Sequence, residues 1–495
     1  MGGVCRICAK NAICGGMGTV AIDTGGTFTD LVYRDKAGRS IRLKVPSDTD
    51  APEQAVFRAL SALRERDPDT TWEELRHGST VATNAILERN GARTLLITTA
   101  GFEDLLILRR QSRPSLSALH PSVSAPLTHQ SLGIDARTRP DGANARPLTD
   151  LARWVNTHRS VLSGVESIAI CLLHAYRNPT HEQALAAYLR DTFPSTPITA
   201  SSELVPLFRE YERASTTVVN AYVGPVMTRY LSSLTRELHD HSISIMGSAG
   251  GLFDVEHVAQ EPVHTVLSGP AGGVRGAFAA GLRCQRTALL TLDMGGTSTD
   301  VSVVRGQLLA DDEGSIDDIP LRVALLPIAT VGAGGGSIAF VDDGGVLKVG
   351  PQSTGARPGP ACYGLGGDEP PVTDAHVVLG RLDSLLGGDM PLDVKAAKEA
   401  IGRLAGTLGT TLEDCAHAIL ATAEASTARA CKSVALDHGI DPRDLTLVAF
   451  GGAGGLHACA LADELGCRDV LFPEEPGVLS AEGIAQAPYQ RSAII

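Results

Sequence analysis

Two stretches of this chain are almost the same. "DTGGTFTD" begins at Asp23 and "DMGGTSTD" begins at Asp293, and they agree at six of eight positions. Each follows a short apolar run and precedes another ("TVAI" and "LVY", "ALLTL" and "VSVV"), so each reads as strand, Gly-Gly-Thr turn, strand. A chain that writes one hairpin twice, so far apart, is constrained to two lobes of like plan. Its 495 residues are also too many for one ordinary core.

The tips suggest chemistry. Paired glycines leave no Cβ atoms in the way, so backbone N–H groups can point outward together and hold an anion. Gly25, Gly26, Gly295 and Gly296 supply the amides; Thr27, Thr29, Thr297 and Thr299 add hydroxyls. Asp23 and Asp293 end the buried strands, where their carboxylates would face one cleft. A carboxylate beside phosphates needs a cation between them, and Mg²⁺ takes one or two carboxylates while bridging phosphate oxygens. Facing hairpins would clamp a polyphosphate from both sides. Taken singly, each could be an ordinary turn.

A third stretch, "LVAFGGAGGLHACALADELG", reads as a strand ending at Phe450, a Gly cluster and a helix beginning near Leu456. Gly451, Gly452, Gly454 and Gly455 would let backbone approach a flat ligand or a phosphate, with a helix N-terminus behind. The alternative is a plain strand-to-helix turn. No Gly-x4-Gly-Lys-[Ser/Thr] occurs, so a P-loop is not supported, and "VGAGGGSIAF" only approximates a dinucleotide fingerprint.

The rest reads as α/β. "VESIAICLLHAY" is a continuous apolar strand suited to a parallel sheet covered on both faces. "LRHGSTVATNAILERNGARTLLITTAGFEDLL" reads as loop, helix, Gly stop, buried strand, loop, and "EYERASTTVVNAYVGPVMTRYLSSLTRELHD" as a long helix. The domains expected are an extension at 1–17, a lobe at 18–200, a second at 201–485 and a tail at 486–495. Composition bounds partners and place. A net charge of −13 argues against a nucleic-acid or anionic-membrane surface. No apolar run is long enough to span a bilayer, and the N-terminus lacks a signal peptide's apolar core, so a cytoplasmic protein is expected. Ten cysteines scattered through apolar segments fit free thiols. Cys5, Cys8 and Cys14 are the exception, though no second pair follows at zinc-ribbon spacing.

Together these motifs resemble the actin-like ATPase superfamily, and more closely the hydantoinase A / 5-oxoprolinase family, to which N-methylhydantoinase A and acetone carboxylase subunits are related. The matching stretches include "HGSTVATNAILERNGART", "REYERASTTVVNAYVGPV", "LSGPAGGVRGA", "GAGGGSIAFVDDGGVLKVGPQSTGARPGPACYG" and "DPRDLTLVAFGGAGGLHA", besides both hairpins. The resemblance implies two actin-like (ribonuclease H-like) lobes around a nucleotide cleft. It implies an ATP- and Mg²⁺-dependent enzyme that phosphorylates the carbonyl oxygen of a cyclic amide, imide or ketone for attack by water or a carboxylating nucleophile. A hydantoinase B-type partner subunit, in a homo- or hetero-oligomer, is implied with it. By position, Asp23 and Asp293 resemble the Mg²⁺-linked, catalytic carboxylates; Gly25, Gly26, Thr27, Gly295, Gly296 and Thr297 the phosphate tips; and Gly451, Gly452, Gly454 and Gly455 the adenosine loop.

Other residues stay open. Asp30 and Asp300 are strand-end partners or site carboxylates. His77, Thr80, Thr83 and Asn84 form a polar stretch that contacts substrate, or merely caps a helix through Ser79 or Thr80. Cys362 is reactive or just a small loop residue, and Glu210, Glu212 and Arg213 read as a solvated or salt-bridged helix face. The family continues past "PGVLSAEGIAQA", so a C-terminal domain is expected to be missing here, and Gly-Gly-Leu-His replaces the commoner Gly-Pro-Leu-His. Three functions follow: a cyclic-amide hydrolase subunit, a bicarbonate-requiring ketone carboxylase subunit, and a nucleotide switch without small-molecule chemistry.

Overall fold

The computed structural model describes residues 18–48, 51–111, 124–355, 357–385, 388 and 390–491. The expected extension at 1–17, with Cys5, Cys8 and Cys14, lies outside the described residues, as do 492–495.

Two sheets share one plan. In the first, Gly18–Thr24 and Phe28–Arg34 form the hairpin, Ser40–Pro46 adds antiparallel to it, and Trp72–Ser79 then Ser242–Met246 add parallel on the other side. In the second, Ala288–Met294 and Thr299–Arg305 form the hairpin, Ile328–Val331 adds antiparallel, and Thr446–Phe450 then Asp469–Leu471 add parallel. The chain is thus two actin-like α/β lobes, each with three antiparallel strands followed by two parallel ones.

Between the sheets run helices Ser268–Arg283 and Leu479–Ala485. One apolar cluster joins Ala21 and Met246 of the first sheet, Ala271, Val274 and Ile484 of the helices, and Leu289, Val448 and Phe450 of the second sheet. The helices approach so closely that a Cβ at Gly483 would overlap the Gly272 carbonyl and lie 2.6 Å from the Gly276 amide nitrogen. The glycines of "LSGPAGGVRGA" therefore include packing positions that set the spacing of the two lobes.

Several expectations need correction. "LRHGS" is the inner strand Trp72–Ser79, not a loop. The first sheet also takes in Ser242–Met246 and Leu252–Asp254, so its lobe extends beyond residue 200. Within it, Thr94–Thr99, Gln130–Ile134, Ser167–Cys171 and Ile198–Ala200 form an all-parallel sheet with its own core around Leu95, Ile97, Ile168 and Leu185. That sheet covers the long helix Glu210–Glu237, so Arg213 is fully buried and donates to Leu172 O at 2.7 Å. Glu210 and Glu212 stay partly exposed as expected, Glu212 paired with Arg110 and Glu210 3.4 Å from His174 Nδ1. The start of the tail is docked: Leu252 N donates to Pro488 O, and Gln490 N to Leu252 O, both at 2.8 Å. The seven cysteines of the described residues are free thiols, although Cys284 and Cys459 are exposed. No helix among the described residues is long and apolar enough to cross a membrane.

Candidate nucleotide site

The two hairpins close alike. Gly25 N donates to Phe28 O at 3.1 Å and Gly295 N to Ser298 O at 3.0 Å. In both, the first Asp of the motif stands directly opposite the last, Asp23 against Asp30 and Asp293 against Asp300. Among the described residues the amides of Gly26, Thr27, Gly296 and Thr297 have no hydrogen-bond partner. A Cβ at Gly26 or Gly296 would meet nothing within 4 Å. The tips thus present free N–H groups to open space.

Thr29 and Thr299, expected at the phosphates, are buried. Thr29 Oγ1 bonds Ser47 Oγ at 2.9 Å, and Thr299 Oγ1 donates to the Ala333 carbonyl. Their hydroxyls are spent holding the hairpins to neighbouring loops, so only Thr27 and Thr297 stand at the open tips.

The carboxylates are tuned by burial and by one another. Burial pushes Asp23 up to about 7, with Asp30 adding to the rise and Lys44 opposing it. Asp293 is pushed up to about 8, by burial first, then by Asp300, Asp23 and Asp30. Asp23 and Asp30 thus lie close enough to Asp293 to act on its charge. Burial likewise raises Asp30, against Lys44, and takes Asp300 to about 6, against a hydrogen bond from Thr330. Asp23 Oδ1 is sealed and has no hydrogen-bond partner.

Four carboxylates therefore converge with one cation, Lys44, which pairs with Asp30 across the strand register. Lys44 has no counterpart in the motifs; only the alternation of Ser40–Pro46 could have placed it. An excess of partly buried carboxylates with a sealed, unpartnered oxygen is the donor set of a hard divalent cation, and Mg²⁺ fits it through Asp23 and Asp293.

Glycines let backbone close on both aspartates. A Cβ at Gly78 would lie 2.9 Å from Asp23 Oδ1, and one at Gly269, in the first turn of Ser268–Arg283, would lie 3.3 Å from it. A Cβ at Gly451, where φ is +79°, would overlap Asp293 Oδ1 and lie 2.6 Å from Met294 O. The helix of the third motif spans Gly454–Leu465 and so starts two residues earlier than expected. Gly454 is buried against the second hairpin, where a Cβ would lie 3.4 Å from Leu292 O, whereas Gly452 and Gly455 are exposed. Gly454 is therefore a packing position, and Gly451, Gly452 and Gly455 form the rim. Phe472, half-exposed, stands beside Gly455.

Behind the second hairpin lies a strap, Gly335 and Gly336 of "VGAGGGSIAF". Gly335 N donates to Gly295 O at 3.0 Å and Gly336 N to Gly296 O at 2.6 Å. Thr373 holds the strap through its amide and hydroxyl, both bonded to Gly335 O. From the helix that carries Thr373, Val372–Val378, His376 meets His457 at 3.1 Å, and His457 meets Glu424 at 3.0 Å. These contacts tie the helix Gly454–Leu465 to the strap. Cys362 is buried beside Asp374, and burial pushes its thiol up, which suits a packing residue.

The polar stretch after residue 76 separates into two groups. His77 is fully buried on its strand, with Nδ1 on Ile22 O at 3.1 Å and Nε2 on the Tyr230 hydroxyl at 2.5 Å. Burial lowers it to about 4, so it is a neutral core imidazole and not a substrate contact. Thr83 is buried and accepts from Leu267 N at 2.9 Å. Thr80 and Asn84 remain partly open, and Thr80 lies beside Asp23 across Gly269. The helix takes no side-chain cap from Thr80, whose hydroxyl donates to Thr24 O at 3.3 Å; Ser79 Oγ instead accepts from Val81 N.

The Hydantoinase/oxoprolinase family model matches residues 213–493, and the model of the Hydantoinase/oxoprolinase N-terminal region matches 19–193. Caprolactamase subunit alpha of Pseudomonas jessenii is 35% identical over 483 residues, covering 94% of this chain and 69% of the relative. The 5-oxoprolinase of Saccharomyces cerevisiae is 33% identical over 525 residues, covering 94% of this chain and 40% of the relative. This chain thus spans less than half of that oxoprolinase. The crystal structure of the ATP-dependent caprolactamase from P. jessenii superposes with a TM-score of 0.84 at 34% identity, over 94% of this chain and 70% of that one. Nucleotide-free acetone carboxylase, from work on ATP-dependent acetone carboxylation, superposes with a TM-score of 0.81 at 26% identity, over 95% and 70%.

Proposed function

The chain belongs to the hydantoinase/oxoprolinase family, and on that premise we propose that it is the ATP-binding subunit of an enzyme that opens a cyclic amide or imide by phosphorylating its carbonyl oxygen. The facing hairpins carry the reading: unpartnered amides at Gly26, Thr27, Gly296 and Thr297 above aspartates that crowd one another. Those amides would bind the β- and γ-phosphates of ATP, with Lys44 adding positive charge at the cleft mouth. Asp23 and Asp293 would hold Mg²⁺, which when bound supplies charge neutralisation on the phosphates. Gly451, Gly452 and Gly455 would receive the nucleoside, and Thr80, beside Asp23 across Gly269, would contact the acceptor with Asn84.

An amide oxygen is a poor leaving group, and phosphorylation converts it into a good one. The carbonyl oxygen takes the γ-phosphoryl group and ADP departs. Water then adds to the activated carbon, and the C–N bond opens as the ring nitrogen takes a proton, leaving an acyl phosphate; a second water attacks that carbonyl carbon, and phosphate leaves with the former carbonyl oxygen as the carboxylate forms. The protein holds the partners in line and offers preorganised donors to the moving charge. A hydantoinase B-type subunit would complete the enzyme, by analogy with the caprolactamase relative, which is a subunit.

The likeness to acetone carboxylase favours a second reading, in which an activated ketone meets bicarbonate-derived carbon. Phosphate release from MgATP separates them. The chain is assayed alone and with a B-type subunit against hydantoins, 5-oxoproline, other lactams and ketones with bicarbonate. Stimulation by a cyclic amide supports the hydrolase. Stimulation only by ketone plus bicarbonate replaces it with the carboxylase, and release that nothing stimulates replaces both with a nucleotide switch.

A further inference from the structure

Away from the cleft, a compact group of metal-type ligands sits where the first lobe turns toward its closing helix. The short helix Val255–Gln260 ends at Glu261, whose backbone breaks away (φ −126°, ψ 57°) before the 3₁₀ turn Pro262–Thr265. The break brings Glu261 between His257 and His264. One ligand atom of each lies within 4.8 Å of both others. Glu261 Oε2 is 3.1 Å from His264 Nε2 and 3.8 Å from His257 Nε2.

We propose that His257, Glu261 and His264 bind a borderline divalent transition-metal ion of the zinc class, with water completing the coordination. Two imidazoles and one carboxylate are a zinc donor set. Bond lengths near 2.0–2.2 Å set tetrahedral ligand atoms roughly 3.4 Å apart, between the 3.1 Å and 3.8 Å that separate Glu261 from the two histidines. The unpaired state of His257 points the same way. Its Nε2 is sealed from solvent and has no hydrogen-bond partner, and 3.8 Å to Glu261 is too long for one. A sealed lone pair with nothing to accept is costly, and a metal ion satisfies it.

The rings are held in place. Phe253 stacks on His257 with centroids 4.6 Å apart and lies 5.6 Å from His264, and Asp254 Oδ1 caps the helix by accepting from His257 N at 2.7 Å. Ser248 Oγ donates to His264 O at 2.7 Å, and Asn220 accepts from Val263 N at 3.2 Å. Four residues past His264 the chain enters Ser268–Arg283, whose Gly269 abuts Asp23. The ion would brace the corner from which that helix reaches the cleft. The proposal is independent of which reaction the cleft performs.

The test uses the full chain, stripped with EDTA and titrated with Co²⁺ in excess Mg²⁺, which occupies oxygen-ligand sites in the cleft. The expected result is one equivalent of Co²⁺ with visible d–d bands and no thiolate charge-transfer band, displaced by Zn²⁺. H257Q and H264Q each lose that equivalent, and E261Q weakens it at least tenfold. Zn²⁺ raises the melting temperature of the unaltered chain but not of H257Q. Absence of Co²⁺ bands, bands that persist in both histidine variants, or bands of thiolate type alone would overturn the proposal. If a histidine variant does not fold, the Zn²⁺-dependent melting shift of the unaltered chain decides, and no shift refutes the site.

Discussion

Gly296→Ala isolates the hairpin tip from the fold that carries it. A Cβ at Gly296 meets no heavy atom within 4 Å, and the residue is not among those with positive φ. The substitution should therefore leave the native packing alone, and the stiffer unfolded chain gains the protein ~0.4–1 kcal/mol. Its methyl would stand at the open tip, beside the free amides of residues 296 and 297. If those amides hold a phosphate, displacing it costs one charge-assisted hydrogen bond, ~1.5–3 kcal/mol, or roughly tenfold to a hundredfold in the MgATP dissociation constant. Gly451→Ala makes the same chemical change on the other side of Asp293 with the opposite signature. There φ is +79° and the Cβ lies 2.6 Å from the Met294 carbonyl, which belongs to a core strand and cannot yield. The left-handed backbone alone costs ~1–2 kcal/mol, so this variant loses stability as well as affinity. Calorimetric melting and isothermal titration with MgATP read both quantities. Gly296→Ala with unaltered affinity would refute the role given to the tip.

Asp293→Asn should abolish phosphate release while the chain keeps its fold, read by single-turnover assay beside circular dichroism. Gly483→Ala would drive a Cβ into the Gly272 carbonyl and toward the Gly276 amide, so the helices between the lobes must separate; melting should fall sharply and become less cooperative. Arg213→Ala removes a fully buried guanidinium and strands Leu172 O, costing ~3 kcal/mol or more in denaturant unfolding without changing MgATP affinity of the folded fraction. Stability should also depend on pH. Burial raises Asp300, Asp23 and Asp293 to about 6, 7 and 8 from the usual 3.8. A raised carboxyl stabilises the fold while protonated, fully below about pH 4, and that contribution is lost as pH rises through 6 to 8. Melting temperature should therefore drop across that window without nucleotide, MgATP should restore it, and a flat profile would contradict the crowding of carboxylates.

The elements that bear the site were legible because their signals are local. Alternation, Gly-Gly tips and a strand running into a Gly cluster mark both hairpins and the third motif within a few residues of each other. What escaped depends on distant partners. Thr29 and Thr299 look like phosphate donors until Ser47 and Ala333 take their hydroxyls. His77 sits in a stretch polar enough to read as a loop, but its strand is buried between two others, and Tyr230, 153 positions away, makes the imidazole a core group. Arg213 carries a helix-face pattern that looks solvated, and only the inserted parallel sheet seals it. Lys44 follows from register: it faces Asp30 because the third strand pairs with the hairpin there. "GAGGGS" was visible as glycine, yet its use, to approach the Gly295 and Gly296 carbonyls, requires the second hairpin beside it.

The central claim is that ATP activates a carbonyl oxygen. It is tested most directly by following that oxygen. A cyclic amide that stimulates phosphate release, labelled with ¹⁸O at its carbonyl, is turned over by the chain with the B-type subunit proposed for it. Phosphate and ring-opened product are then analysed by mass spectrometry. The account predicts one ¹⁸O transferred to phosphate in each turnover, because phosphate leaves with the former carbonyl oxygen. Phosphate free of label, with all ¹⁸O in the product carboxylate, would show that ATP cleavage drives something other than carbonyl phosphorylation and would contradict the account.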